Sequence, residues 1–141
     1  MRRFLTLALM TMMMPVFAWA QSAMLYRSPT CGCCLGHADY LREQGFEVEV
    51  VELETEALAY LKAEQTIPRK QQGCHTIMIE GYVVEGHVPV DAINKLLAER
   101  PDIKGIALPG MPMGSPGMGG EKTAPFAVMV IGEDDEVFAV I

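Results

Sequence analysis

The sequence predicts an α/β fold, a central sheet with helices on its faces, followed by an irregular loop and a closing β-hairpin. Three observations carry this. Segments with strand-like and helix-like apolar spacing alternate in the order β-α-β-α-β-β-α. Three thiols, Cys31, Cys33 and Cys34, fall together where the first strand gives way to the first helix. A Gly/Pro/Met-rich stretch, 105–124, then separates this block from two apolar runs near the C-terminus.

Met24 to Tyr26 is short and apolar, and Ser28-Pro29 bounds it as a first strand. Leu35, Ala38, Leu41 and Arg42 follow at helical spacing, with Gly45 as the stop. Phe46 to Val51 alternates apolar with acidic residues, the pattern of a strand with one wet face lined by Glu47, Glu49 and Glu52. Between Glu54 and Gln65, Ala57, Leu58 and Leu61 mark the apolar side of a second helix, closed by Pro68. A polar loop, 69–73, delivers Cys74 and His75 to a strand ending at Ile79. Glu80-Gly81 turns it back into Tyr82 to Gly86, and Val90 to Arg100 forms a third helix on Ile93, Leu96 and Leu97. This order, with cysteines at the first strand-to-helix junction, is thioredoxin-like. In such a sheet the loops after the first strand and before the third share one end, so Cys74 is expected to face the Cys31 to Cys34 turn. From Leu108 to Gly120 the glycines and prolines forbid regular structure. Phe126 to Ile131 and Val137 to Ile141, joined by a turn at 132–135, then form a hairpin that extends the sheet or covers an edge.

Met1-Arg2-Arg3, an apolar run from Phe4 to Phe17 and Ala18-Trp19-Ala20 read as a cleaved secretory signal over residues 1–20. The run is too short, and too clearly ended by a cleavage site, for a retained anchor. The mature chain is expected to be 21–141, one domain, exported and, in a Gram-negative cell, periplasmic. Formal charge is −7 for the whole chain and −9 without Arg2 and Arg3. An acidic chain without a basic cluster argues against nucleic acid and anionic lipid as partners.

Packing does not explain three thiols in four residues, because any aliphatic side chain supplies core volume. At a helix N-terminus the dipole favours thiolate, which attacks disulfides or binds soft metal ions. An even cysteine count in an exported chain normally suggests structural bridges. Bonds between Cys33 and Cys34, or Cys31 and Cys33, would close very small, strained rings. At most one comfortable long-range bridge to Cys74 can form, leaving the other thiols unpaired or in a short C-x-x-C bond between Cys31 and Cys34.

Cys31-Gly32-Cys33-Cys34, Gly73-Cys74-His75-Thr76, Glu85-Gly86-His87-Val88-Pro89 and the run Gly110 to Met118 stand in one order. In these motifs the chain resembles the CopG-like copper-resistance family, small exported proteins of thioredoxin-like fold formerly catalogued as a domain of unknown function. The resemblance spans about Leu25 to Met118. It implies copper, in one or several ions, at a cysteine-rich centre, with a role in copper redox handling and with other periplasmic copper-handling proteins as partners. The residues fit that implication, since Cu(I) takes thiolate, thioether and imidazole. Cys31, Cys33, Cys34 and Cys74 offer thiolates that bridge several ions, Met111 and Met118 offer thioethers, and His87 an imidazole. Cu(II) is the other oxidation state of such a centre. Thioredoxin-like oxidoreductases share the Cys31/Cys34 spacing but place a cis-proline before the third strand, where this chain has Cys74-His75-Thr76.

Each reading has a plainer counterpart. His87 is a ligand or a satisfied turn histidine. His75 is expected to project from the other side of its strand, and His37 to be a solvated helix position. Met78 and Met129 read as core, and Met113 as a residue pinning the loop onto the core. Besides copper binding, two functions stay open: a thiol-disulfide oxidoreductase using Cys31 and Cys34, and an adaptor whose cysteines lock the fold.

Overall fold

The computed structural model describes residues 21–132 and 135–141. The signal expected at 1–20 and the middle of the turn at 132–135 lie outside them. The elements run β1 (Ser22–Arg27), α1 (Gly32–Glu43), β2 (Glu47–Glu52), α2 (Thr55–Glu64), β3 (His75–Ile79), β4 (Tyr82–Glu85), α3 (Val90–Glu99), β5 (Gly105–Ala107), β6 (Ala127–Val130) and β7 (Val137–Val140). A single 3₁₀ turn, Arg69–Gln71, interrupts the polar loop before β3.

The strands form one mixed sheet in the order β2-β1-β3-β4-β5-β6-β7. β1 pairs with β2 in parallel and with β3 antiparallel, so the α1 crossover starts at the sheet end where β3 begins. In that register Arg27 lies opposite His75, which brings the turn after β1 beside the residues just before β3. The β3-β4 hairpin turns through Glu80 and Gly81, both at positive φ (50° and 85°), which matches the right-handed twist of the strands it joins.

β5 is an element that the apolar pattern does not predict, since 105–124 reads as loop. Three residues, Gly-Ile-Ala, carry too little β-propensity to stand out. Their pairing depends on the first of them, because a Cβ on Gly105 would lie 1.8 Å from the Val83 carbonyl oxygen. β5 continues the sheet beyond β4, and β6 and β7 pair onto it, so the closing hairpin extends the sheet.

Two helices bury a different face from the one their aliphatic residues suggest. α1 buries Cys34, His37, Ala38 and Leu41, while Leu35 is 40% exposed. α2 buries Leu58 and Lys62 and leaves Ala57 exposed. α3 buries Ala92, Ile93, Leu96 and Leu97, as its spacing predicts. The core between helices and sheet is Leu25, Leu41, Ile77, Val84, Ile93, Leu96 and Ile106, all essentially inaccessible to solvent.

Candidate metal centre

α1 begins at Gly32, so Cys31 is its N-cap and Cys33 and Cys34 occupy its first turn. The turn leading into it is shaped by Arg27, the last residue of β1. This side chain is buried and its Nη1 donates to the carbonyls of Ser28 (3.0 Å), Pro29 (3.3 Å) and Cys31 (3.0 Å), while Nη2 pairs with Glu52. One guanidinium thereby holds three carbonyls of the cysteine turn in place.

Across from this turn stands Cys74, immediately before β3. Its Sγ is 3.5 Å from Cys34 Sγ and 3.9 Å from Cys33 Sγ, and Cys33 Sγ is 3.5 Å from Cys31 Sγ. All four sulfurs lie within 4.8 Å of one another. Cys31 and Cys34 are joined as a disulfide, the short C-x-x-C option rather than a long-range bridge, and Cys33 and Cys74 are free thiols. Burial, followed by the neighbouring Cys33, pushes the Cys74 thiol up to about 12. In the metal-free protein it therefore carries its proton at neutral pH, and a soft cation would have to displace it.

A second donor group lies against the first. His37, His75 and His87 are fully buried, and one ring nitrogen from each falls within 4.8 Å of the others. Their hydrogen bonds settle the tautomers. His37 Nε2 donates to the Val88 carbonyl at 3.0 Å, which leaves Nδ1 to accept from His75 Nε2 at 2.7 Å. His75 Nδ1 is then a lone pair, 3.4 Å from Cys74 Sγ. His87 Nδ1 donates to the Pro116 carbonyl at 2.7 Å, so its Nε2 is a lone pair as well, 3.1 Å from the same sulfur. Two imidazole lone pairs thus converge on Cys74. Burial lowers all three histidines, His37 to about 3 with His87 as a further cause, His75 well below its ordinary value, and His87 in the same direction. The rings are neutral, and His75 and His87 each keep a lone pair able to ligate.

This corrects the expectations for two residues. His37 is not solvated: its ring is fully buried against His75, His87, Tyr40 and the Val88 carbonyl, while Gly117 of the irregular loop packs on the α1 backbone, where a Cβ would meet His37 N at 2.4 Å. His75 does reach the sulfur site. The signal for His37 is present in the spacing of Cys34, His37, Ala38 and Leu41, which only forms a face once a cysteine and a histidine are counted as buried. His75 has no comparable signal, since strand alternation assigns a side but not a neighbour.

The methionines divide. Met111 is 40% exposed and Met113 58% exposed, and the Met113 Cε rests by Gly120 of its own loop instead of pinning that loop to the core. Met118 is half-buried next to Gly117, and its N–H donates to the Ser115 carbonyl at 2.9 Å. Met78 and Met129 are half-buried within β3 and β6.

A family described as "Protein of unknown function, DUF411" matches residues 71–118, the segment from the loop before Cys74 to Met118. No curated protein matches the chain. Two solved structures titled "Copper resistance protein copG", forms 2 and 1, are 35% and 34% identical to it, each with a TM-score of 0.76. Each match covers 87% of this chain and 99% or 98% of the other. At that identity, and over nearly the whole length of those structures, the chain belongs to the CopG copper-resistance family.

Proposed function

We propose that this protein is an exported, periplasmic copper-binding protein of copper resistance that holds Cu(I), in more than one ion, between its two cysteine-bearing segments. The observation that carries the reading is the placement of Cys34 and Cys74, 40 residues apart in the chain, with their sulfurs 3.5 Å apart and two imidazole lone pairs facing the second of them. Thiolate and imidazole suit Cu(I), and adjacent cysteines that point differently favour bridging between ions over chelation of one. Cys31, Cys33, Cys34 and Cys74 supply the thiolates once the Cys31–Cys34 bond is reduced. His87 joins them, and Met118 and Met111 offer thioethers from the loop above α1. His75 belongs to the same donor set by its lone pair, and His37 orients it.

The disulfide adds a redox capacity. Oxidation of the Cys31/Cys34 dithiolate to the disulfide releases two electrons, enough to reduce two Cu(II) ions to Cu(I), and the reverse exchange is equally balanced. Copper and other copper-handling proteins of the periplasm are then the natural partners.

Anaerobic titration of the reduced protein with Cu(I), read by native mass spectrometry, should show more than one copper per chain and fewer after Cys74→Ala. The observed Cys31–Cys34 bond at the start of α1 also fits a thiol-disulfide oxidoreductase. Reduced protein that takes up no copper but rapidly reduces a disulfide substrate would establish that second reading in place of the first.

A further inference from the structure

Lys62 and Glu85 form a buried ion pair beside the donor set. Lys62, on α2, keeps 6% of its side chain exposed and Glu85, ending β4, none. Burying two ions is costly before they attract one another, and an apolar pair of the same volume would often be at least as stable. Their value must be sought in what they hold.

The Lys62 ammonium pairs with Glu85 Oε1 and donates to the Gly73 carbonyl and to Thr76 Oγ1, both at 3.1 Å. Glu85 Oε1 also accepts from the Gly73 N–H at 2.7 Å, and Oε2 accepts from Thr76 Oγ1 at 2.6 Å. Both polar groups of Gly73, the residue before Cys74, are therefore bound to this ion pair. Thr76, two residues after Cys74, is bound as well, so the thiol is bracketed. Gly73 lies so near the segment just after β4 that a Cβ on it would be 2.8 Å from Gly86 Cα. Gly86 in turn separates Glu85 from His87, whose Nε2 faces Cys74. A single carboxylate thus ties together the segments that deliver Cys74 and His87.

We propose that Lys62 and Glu85 are positioning residues, fixing the Gly73-Cys74 peptide so that the Cys74 sulfur stays opposed to Cys33, Cys34 and His87. The pair hydrogen-bonds to no sulfur; it reaches Cys74 through the backbone on either side of it, with the Lys62 charge as a lesser direct influence on the thiol. The relevance to copper rests on the function proposed above, but the positioning itself is measurable without metal.

The test uses Lys62→Met/Glu85→Leu, which removes both charges at similar volume and leaves no unpaired ion. Glu85→Gln, which keeps the shape, serves as the milder second variant. In metal-free protein with the Cys31–Cys34 bond intact, Cys33 and Cys74 are joined by a mild azo oxidant that takes up both thiol hydrogens, and the rate is followed by mass spectrometry. Cu(I) affinity is read by competition with a coloured Cu(I) chelator. Both quantities should fall about 10- to 100-fold in the double variant, the range typical of residues that orient ligands, and toward the low end of it in Glu85→Gln. In a Cys74→Ala background the same substitutions should leave Cu(I) affinity unchanged, which a general loosening of the fold would not do. Folded variants that close the Cys33–Cys74 bond at the wild-type rate overturn the inference, as does an affinity loss that persists without Cys74. Wild-type protein that binds no Cu(I) overturns the proposed function alone, and the closure rates still decide the positioning role.

Discussion

The sulfur group and the imidazole group meet at Cys74 but are built in opposite ways. Three of the four sulfurs come from one short turn at the α1 N-terminus, and all but that of Cys34 belong to partly accessible residues. The three histidines come from α1, β3 and the segment after β4, and all are fully buried. Local clustering lets the first group be recognised from the sequence. The second is assembled only by the sheet order, so each histidine taken alone looks ordinary. The physical cost differs too. Thiols bury as small apolar groups, whereas imidazoles must be kept neutral and hydrogen-bonded in the interior.

That difference has its largest consequence in the pH dependence of the metal-free protein. Unfolded histidines take up protons near pH 6.5, while the folded His37 resists to about 3 and His75 and His87 are also depressed. A base whose folded pKa is lowered contributes its stability above the unfolded value and loses it as pH falls toward the folded one. Each histidine that stays neutral in the folded chain should remove about 1.4 kcal/mol for every pH unit below its unfolded pKa. Unfolding free energy from denaturant titration should therefore drop by several kcal/mol between pH 7 and pH 4. Glu85, raised by burial, works in the opposite sense over the part of this range above its ordinary 4.5 and offsets some of that drop. A flat profile between pH 7 and pH 4 would mean that the imidazoles are hydrated, and the contrast between the two groups would collapse.

The next effect compares one member of each group. His37→Phe keeps the ring volume but leaves the Val88 carbonyl and the His75 N–H without partners, which should cost about 1 to 3 kcal/mol. Cys33→Ser, at a partly accessible thiol, should change stability by no more than about 0.5 kcal/mol. Paired denaturation curves at pH 7 check both values. Equal losses would show that the two groups support the fold to the same extent.

How much of this is readable in the sequence follows the same division. The strand and helix order through α3 can be read because each element carries its own apolar period, and the Cys34–Cys74 approach follows from that order. β5 cannot, since its three residues pair by grace of Gly105's missing side chain. The buried face of α2 escapes the apolar pattern because Lys62 is a charged residue whose burial depends on Glu85, a partner 23 positions away. His37 reads as solvated because the groups that bury its ring, His75, His87 and the Val88 carbonyl, lie 38 or more positions away in the chain. In each case the deciding contact is long-range and polar or steric, and apolar spacing carries no record of it.

The smallest effect concerns the methionine loop. Met111 sits at φ 45°, a left-handed conformation that disfavours any residue with a Cβ, and its side chain is 40% exposed. Neither its backbone nor its packing accounts for a methionine there, whereas the thioether role proposed above would. Met111→Gly should raise the stability of the metal-free protein by about 1 kcal/mol, the order of the left-handed penalty it removes. The same variant should retain Cu(I) less well against a competing chelator, so that stability and copper retention move in opposite directions. Met118→Ala, at a half-buried position with an ordinary backbone, should lower both. If Met111→Gly stabilises the fold and leaves copper retention untouched, the thioether at 111 is only a surface side chain, and Met118 is left as the loop's one thioether candidate for the proposed copper site.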